Sequence, residues 1–444
     1  MTGPLDPRTA RRRFAAVNFL FWLPVGLYIP SQVLLLTERG MGLAVVAGLF
    51  AVHSLTVSAL ELPTGGLSDV IGRRTVLAAA GVLNLAALVL LALGTTVWAL
   101  AIAMALMGSG RALSSGPAEA WYVDTVQAHS GPGAELRTGL ARGGTASAAA
   151  LAVGTLLGGG LPLLLGLGPD MGARLTAATS GLVLPLSVPA LLGAGVGLVF
   201  VTYVLTALPE PPRPRATLHD VLRGVPATML DGLRLGARDF LIRRVLLTAG
   251  ATGAALGTIE LLTPGRAADL TGSPGSGAVL FASLACAGFV CTALGSHCAP
   301  LVARVTGSGE RAVMTSIGLS ATGLVLLGLT VLWTGPAALT LAATGYALVY
   351  FGLGAAGPNK NDLLHRRVDS AGRATALSVQ SLALQSAGAL AGLVAGALPA
   401  GPLRWLPGAA LLLAGALLWV RRAGQKPEGG TPLGVGVPPS VRTA

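Results

Sequence analysis

Twelve apolar runs, most of them about twenty residues long, limit what this chain can fold into. They cover residues 14–36, 43–63, 75–93, 97–119, 143–166, 181–207, 244–263, 276–303, 311–333, 337–358, 374–398 and 403–420. About twenty helical residues cross the ~30 Å hydrocarbon core of a bilayer. In lipid, backbone hydrogen bonds are satisfied only within helices or closed barrels, and barrel strands are about half this length. The chain is therefore predicted to be an all-α membrane protein with twelve transmembrane helices.

The charge distribution predicts how these helices are oriented. Charged residues make up 11% of the chain, whereas soluble domains carry roughly 25%. The net charge is +12, but 25 of the 30 Lys and Arg residues fall in segments on one side of the predicted membrane. Because cytoplasmic loops are enriched in positive charge, we expect a multi-pass protein of the cell (inner) membrane with both termini cytoplasmic. The same distribution of charge reflects the orientation of the helices in the membrane and does not form a basic binding face. We therefore expect no nucleic-acid partner.

The order of the runs, six, then a longer polar segment, then six more, predicts two pseudo-symmetric six-helix bundles. The N-terminal bundle spans 14–207, a cytoplasmic linker spans 208–243, the C-terminal bundle spans 244–420, and a Gly/Pro-rich tail, 421–444, is expected to be disordered. Within the linker, the apolar spacing from Leu218 to Val225 predicts an amphipathic helix on the inner membrane face. Basic residues at its end, including Arg243 and Arg244, are expected to meet anionic headgroups.

The segment 65–74, between the second and third runs, has the composition of a hinge. Its glycines permit close backbone approach and positive φ, and its charged residues can pair with a neighbouring helix. The residues concerned are Gly65, Asp69, Gly72, Arg73 and Arg74. The alternative is an ordinary positive-inside loop, in which any basic pair would serve.

The pattern Gly65-x-Leu67-Ser68-Asp69-x-x-Gly72-Arg73-Arg74 resembles the loop 2–3 signature of the major facilitator superfamily (MFS) of secondary transporters. The preceding Glu61-Leu62-Pro63-Thr64-Gly65 resembles its drug-exporter-like branch, although Val70 stands where a basic residue is usual. The resemblance implies transport by alternating access rather than catalysis. It also implies a conformational switch in which Arg73 pairs with an acidic residue at the end of span four, for which Asp124 is the preferred partner.

Ionisable residues inside the runs are few, and each needs a reason, since a charge at the bilayer centre costs about 2.5–3.5 kcal/mol. Spans three and six carry no charged residue, and spans nine and twelve carry only Arg311 and Arg404 at their ends, so these four are expected to be peripheral. The remaining runs supply a predicted proton and substrate pathway. Its members are His53, Arg111, Glu119 and Glu260, with the aromatic residues Tyr28 and Tyr346.

Each of these residues has a plainer alternative. Arg111 resembles the fourth-span arginine of the superfamily's proton-coupled members, or is a structural arginine paired with a carboxylate or carbonyls. His53 is a substrate contact or a packing residue, and Glu260 binds a proton or cation or is a wet residue at the pathway's mouth. Tyr346 shares a helix face with Tyr350 and stacks on a ligand or merely packs.

Glycine spacing predicts one sliding contact. Gly388, Gly392 and Gly396 recur every four residues on span eleven, which is the small-residue spacing of close helix packing. We expect this ridge to face span two.

The function predicted from these observations is proton-coupled efflux of a small amphipathic compound by a monomer. Its partners are the substrate, protons and the bilayer, and it uses the proton gradient rather than a cofactor. The three cysteines Cys286, Cys291 and Cys298 fit no metal site. The alternatives are a transporter of a specific metabolite or sugar, or a non-transporting membrane sensor with the same fold.

Overall fold

The computed structural model describes residues 5–65, 67–131, 133–210, 239–365, 367 and 370–420. The side chain of Asp69, the predicted linker helix and the tail 421–444 lie outside the described residues, so the expectations for them are not addressed by the structure. The helices of the first half are α1 Pro7–Glu38, α2 Leu43–Gly65, α3 Leu67–Ile71, α4 Arg73–Leu93, α5 Val97–Ser114, α6 Pro117–Ser130, α7 Arg137–Leu165, α8 Met171–Ala178 and α9 Val188–Ala207. Those of the second half are α10 Phe240–Thr271, α11 Pro274–Thr306, α12 Gly309–Leu329, α13 Gly335–His365, α14 Ser370–Ala397 and α15 Leu406–Leu417.

Eleven helical segments in the described part of the chain are long and apolar enough to cross a membrane, and Pro402–Leu417 is a shorter apolar helix. This confirms the all-α membrane fold and agrees with the expected count of twelve. Most helices extend beyond the apolar runs into polar caps. At the start of α10, for example, the Asp239 carboxylate accepts hydrogen bonds from the backbone N–H groups of Leu241 and Ile242 at 2.7 and 3.0 Å, so the helix begins before residue 244.

Span four, predicted over 97–119, contains a break in its helix. Helix α5 ends at Ser114, and α6 begins at Pro117. Between them Gly116 has φ +98°, a conformation that glycine adopts without a Cβ clash. Pro117 lacks a backbone N–H and suits the first position of a helix but not its interior. The predicted span is therefore present as part of the apolar segment Val97–Ser130, and its helix is broken a few residues after Arg111.

Two arginines anchor equivalent helix ends in the two halves. Arg39, after α1, donates hydrogen bonds to carbonyl oxygens at the end of α4, including Leu91 at 3.0 Å. Arg266, near the end of α10, donates to the carbonyl oxygen of Trp333 at 2.7 Å and to Thr330, just past α12. Because α1 and α10 open the two halves, and α4 and α12 are the third span of each, one anchoring device occurs twice. All these contacts lie on one face of the bundle, which we call the anchor face; the other, which carries Arg73, is the Arg73 face.

The halves meet mainly where α2 packs against α14 and where α7 packs against α11. Helices α4, α9, α12 and α15 make their main contacts within their own half, as expected for the spans without internal charge. The predicted glycine ridge is only partly correct. Gly396 lies against the first turn of α2, whereas Gly388 packs on α10, and nothing lies within 4 Å of a Cβ built at Gly392.

Candidate functional site

A cavity of about 240 Å³ lies inside the bundle between the two halves. Of its 23 lining residues, 20 belong to α1, α2, α4, α5 and α9, and three belong to the second half. The lining residues are Leu20, Phe21, Trp22, Pro24, Val25, Tyr28, Ile29, Gln32, Val33, Phe50, His53, Ser54, Gly81, Asn84, Leu88, Met104, Met107, Arg111, Gly197, Phe200, Glu260, Phe281 and Gln385. The walls are therefore largely apolar and aromatic, with a few polar groups, which is the usual make-up of a small-molecule site.

Four of the six residues predicted for the pathway line this cavity: Tyr28, His53, Arg111 and Glu260. Two do not. Glu119 lies in the first turn of α6 with an exposed side chain, because the break at Gly116 separates it from the helix that carries Arg111. Tyr346 is 2% exposed and stacks on Tyr350, with ring centroids 4.7 Å apart, inside the second half. The structure therefore does not bring these two residues to this cavity, and their place in a transport pathway remains a prediction.

Glu260 is deep along α10, yet its side chain is exposed because it faces internal space. It also lines a second cavity of about 90 Å³, bounded by small residues of α2, α10 and α14 such as Ala47, Gly257 and Gly388. Within the described residues, no hydrogen-bond donor or basic group pairs with its carboxylate. A carboxylate in this position is either protonated, hydrated or paired with a ligand.

Arg111 occupies the last turn of α5, and its guanidinium carbon lies 5.0 Å from the centroid of the Trp22 ring. No carboxylate of the described residues pairs with it within 4.0 Å. Arg111 and Trp22 also line a third cavity, of about 50 Å³, which extends toward the Arg73 face beside Asn18 and Ser114. The aromatic contact supports the guanidinium without neutralising its charge.

Four uncharged polar residues that sequence reasoning passed over also line the central cavity. They are Gln32, Ser54, Asn84 and Gln385. Gln32 is tied only weakly, its amide donating to the sulfur of Met104 at 3.6 Å. Asn84 lies on α4, so this peripheral helix reaches the cavity on one side. Side-chain amides inside apolar runs are the sequence signal that marks three of these residues, Gln32, Asn84 and Gln385.

On the Arg73 face, the first residue of α4 forms the predicted ion pair. Gly72 has φ +105°, which favours glycine at this position. The Arg73 guanidinium pairs with the Asp124 carboxylate and also donates to the carbonyl oxygen of Ala120. The partner is therefore as expected, whereas its role as a conformational switch remains a prediction.

Glu210 adds a contact that the sequence did not reveal. Its two carboxylate oxygens accept hydrogen bonds from the backbone N–H groups of Arg73 and Arg74 at 2.9 and 3.1 Å. A carboxylate at a helix N-terminus satisfies free N–H groups and interacts favourably with the helix dipole. Next to it, the indole N–H of Trp121 donates to the carbonyl oxygen of Pro209 at 2.9 Å. The start of the linker thus closes over the end of the first half.

Arg244 was expected to meet lipid headgroups at the membrane surface, but the structure places it inside the protein. Its side chain is buried, its guanidinium carbon lies 4.3 Å from the ring centroid of Phe240 and 5.6 Å from that of Trp419, and it faces Glu310 at 3.9 Å. These aromatic rings and the carboxylate take the place of hydrating water around the guanidinium. The arginine is therefore part of the packing between α10, α12 and α15 on the Arg73 face.

One side-chain hydrogen bond crosses between the halves close to these sites. The Ser381 hydroxyl, on α14, donates to Oε2 of Glu61, on α2, at 2.6 Å. Glu61 lies one turn before the end of α2, so the bond lies on the Arg73 side of the central cavity. It joins the helix that carries His53 to the helix that carries Gln385.

Comparison with known proteins agrees with this architecture. The family model of the Major Facilitator Superfamily matches residues 14–393. The chain therefore belongs to this superfamily of membrane transporters. No curated protein sequence matches the chain closely enough to count as a relative.

Solved structures show the same fold at low sequence identity. The nucleoside transporter NupG superposes with a TM-score of 0.68 at 13% identity, covering 92% of this chain and 98% of that one. The peptide transporter PepTSo of the POT family gives 0.66 at 14% identity, with 94% and 97% covered. A bacterial homologue of the iron transporter ferroportin, in an inward-facing state, gives 0.68 at 13% identity, with 94% and 98% covered. These identities support the fold and not a substrate.

Proposed function

We propose that this protein is a proton-coupled antiporter that exports small amphipathic compounds by alternating access. The observation that carries the proposal is the Glu260 carboxylate, unpaired among the described residues and open to the cavity between the two halves. The positive-inside bias supports a cytoplasmic Arg73 face in a cell membrane. The proton gradient supplies the energy, and no bound cofactor is required.

The chemistry of the cavity supports an amphipathic substrate. Apolar contact is available from Trp22, Phe50, Met107 and Phe281, while Arg111 and Glu260 provide the polar contacts. A volume of about 240 Å³ lies just below the range of ~300–1,000 Å³ usual for ligand pockets. The substrate is therefore small.

Coupling needs only that proton and substrate stabilise different states of the two halves. An ionised Glu260 in a closed, apolar cavity is costly, so the closed states are favoured when the carboxyl is protonated or paired with substrate. The Glu260 carboxyl group then holds a proton taken up on one face of the membrane or a substrate bound on the other, in alternation. Because the second cavity also ends at Glu260, this group has access to space on two sides.

The test is flux in proteoliposomes under an imposed pH gradient, measured with a panel of lipophilic cations and antibiotics. Glu260→Gln is expected to abolish gradient-driven accumulation while leaving residual substrate exchange at equal pH, supported by the remaining contacts of the cavity wall. The matched control is Glu135→Gln, since Glu135 lies in the loop before α7, away from the cavity. Gradient-driven accumulation by the Glu260→Gln protein would remove Glu260 from the coupling mechanism.

A second candidate is transport of a specific polar metabolite. Seven polar side chains line the cavity, including Gln32, Asn84 and Gln385, more than an apolar substrate needs. The solved structures that share this fold include nucleoside and peptide transporters. Competition of the panel compounds by nucleosides or dipeptides would favour this candidate over drug-type efflux.

A further inference from the structure

Two opposite charges face one cavity without pairing. Arg111 belongs to the first half and contacts the Trp22 ring, and Glu260 belongs to the second half. Among the described residues, neither charged side-chain group has a hydrogen-bond partner or an ion pair within 4.0 Å. This arrangement adds a substrate class to the proposed function, on which it rests.

The two charges lie at opposite ends of the cavity. Arg111 is shared with the small cavity that extends toward the Arg73 face, and Glu260 is shared with the one between α2, α10 and α14. On α1, the neighbour of Arg111 is Trp22, whereas Tyr28, which also lines the cavity, lies six residues further toward the anchor face. Six helical residues rise ~9 Å. The two charged groups line different smaller cavities and form no ion pair within 4.0 Å, so they do not neutralise each other by direct contact.

An unpaired charge in a membrane interior is unfavourable, and a ligand charge that meets it with hydrogen bonds removes that cost. A ligand with one charge satisfies only one end of this cavity and leaves the other unpaired. A ligand with both charges satisfies both ends, and the apolar walls between them suit an uncharged middle.

We infer that the cavity binds a small zwitterion, with its anionic group at Arg111, its protonated amine at Glu260 and an apolar chain between them. The guanidinium offers the paired N–H donors that a carboxylate accepts. The Glu260 carboxylate accepts from an ammonium group. Because the charged groups come from different halves, such a ligand bridges the halves when it binds.

Matched probes test this on the purified protein in lipid nanodiscs by isothermal titration calorimetry. The probes are ω-aminooctanoate, which carries both charges, octanoate and octylamine, which carry one each, and ω-aminobutyrate, which is too short to reach both ends. We expect ω-aminooctanoate to bind at least about tenfold more tightly than the other three, as charge-assisted hydrogen bonds at both ends require.

The variants assign each end. Arg111→Gln is expected to lower the affinity for ω-aminooctanoate to that for octylamine, and Glu260→Gln to that for octanoate. Arg111→Lys, which retains the charge, should keep most of the preference. Size-exclusion profiles and circular dichroism establish that each variant is folded.

Equal affinity of folded wild-type protein for the singly and doubly charged probes, or no binding of ω-aminooctanoate, overturns the inference. Retention of the zwitterion preference by both glutamine variants does the same. Each of these results leaves the proposed function standing if pH-driven flux of a lipophilic cation is still observed. Loss of that flux with the zwitterion preference intact would reject proton-coupled efflux instead.

Discussion

The Ser381 hydroxyl and the Glu61 carboxylate form a hydrogen bond of 2.6 Å that joins the two halves of the molecule. A hydrogen bond to a charged group stabilises by roughly 1.5–3 kcal/mol. States of a transporter that differ by only a few kcal/mol are shifted by such a term. The bond therefore favours conformations in which α2 and α14 are close on the Arg73 side of the cavity.

Ser381→Ala is expected to shift the protein toward conformations that are open on the Arg73 face. The change in population should be about tenfold, equivalent to loss of ~1.4 kcal/mol. Spin labels replacing the exposed residues Ile71 and Val305, in a background without the native cysteines, would report longer distances by pulsed EPR. Ser381→Thr keeps the hydroxyl and serves as control; identical distance distributions for Ala and wild type would show that the bond has no such role.

Gly396→Val is expected to have the opposite effect. A Cβ at Gly396 would lie 2.8 Å from the Ala47 Cβ and 3.0 Å from the Leu43 carbonyl oxygen, so α2 and α14 must separate at the anchor face. Gly392→Val, one turn away on the same helix, has nothing within 4 Å of its Cβ and is the matched control. Labels replacing Trp98 and Leu332, exposed on that face, measure the separation. An unchanged distance in the Gly396→Val protein would contradict this packing.

Asp124→Asn should reduce flux by about tenfold and lower stability by about 1 kcal/mol, because it leaves the partly buried Arg73 without its ionised partner. Exchanging the two charges, Arg73→Asp with Asp124→Arg, should recover part of the flux if the pair acts as a unit. Proteoliposome transport and thermal unfolding together separate a switch from a purely structural pair. Full activity of the Asp124→Asn protein would discard the switch.

Glu210→Ala is expected to destabilise the start of α4 by about 1 kcal/mol, since two backbone N–H groups lose their acceptor. Hydrogen exchange at Val76 and Leu77, in the first turns of α4, should accelerate, while exchange in α12 should not change. Glu135→Ala removes a carboxylate from another loop and controls for charge. Equal protection of α4 in the Glu210→Ala and wild-type proteins would refute the capping role.

Arg39→Ala and Arg266→Ala should each lower the unfolding free energy by roughly 2–4 kcal/mol, because each strands several carbonyl oxygens at a helix end. Arg174→Ala also removes one positive charge, but from an exposed side chain, and should change the melting temperature little. The two anchor variants should behave alike if the halves are equivalent. A melting temperature equal to that of the Arg174→Ala protein would show that the anchors do not contribute.

The sequence was sufficient for the spans, because run length in a bilayer leaves few alternatives, and for the pairing of Arg73 with Asp124. It grouped Glu119 with Arg111, because the break at Gly116 and Pro117 that separates the two residues forms only when the helices pack. It could not predict the surroundings of Tyr346, because the same helix face can pack within its own half or line the cavity. Glu210 and Ser381 were missed because their partners lie 137 and 320 residues away along the chain, and sequence spacing carries no record of such contacts.

The first half contributes 20 residues to the cavity wall and the second half contributes three. This inequality implies different roles for the two halves. If the bundles tilt as proposed, a bound molecule travels with the first half, and the second half brings Glu260, Phe281 and Gln385 to it. Residues of the first half therefore chiefly determine selectivity among substrates, and residues of the second half determine when the substrate is released. Exchanging second halves between related transporters would then alter when a molecule is released more than which molecule is chosen.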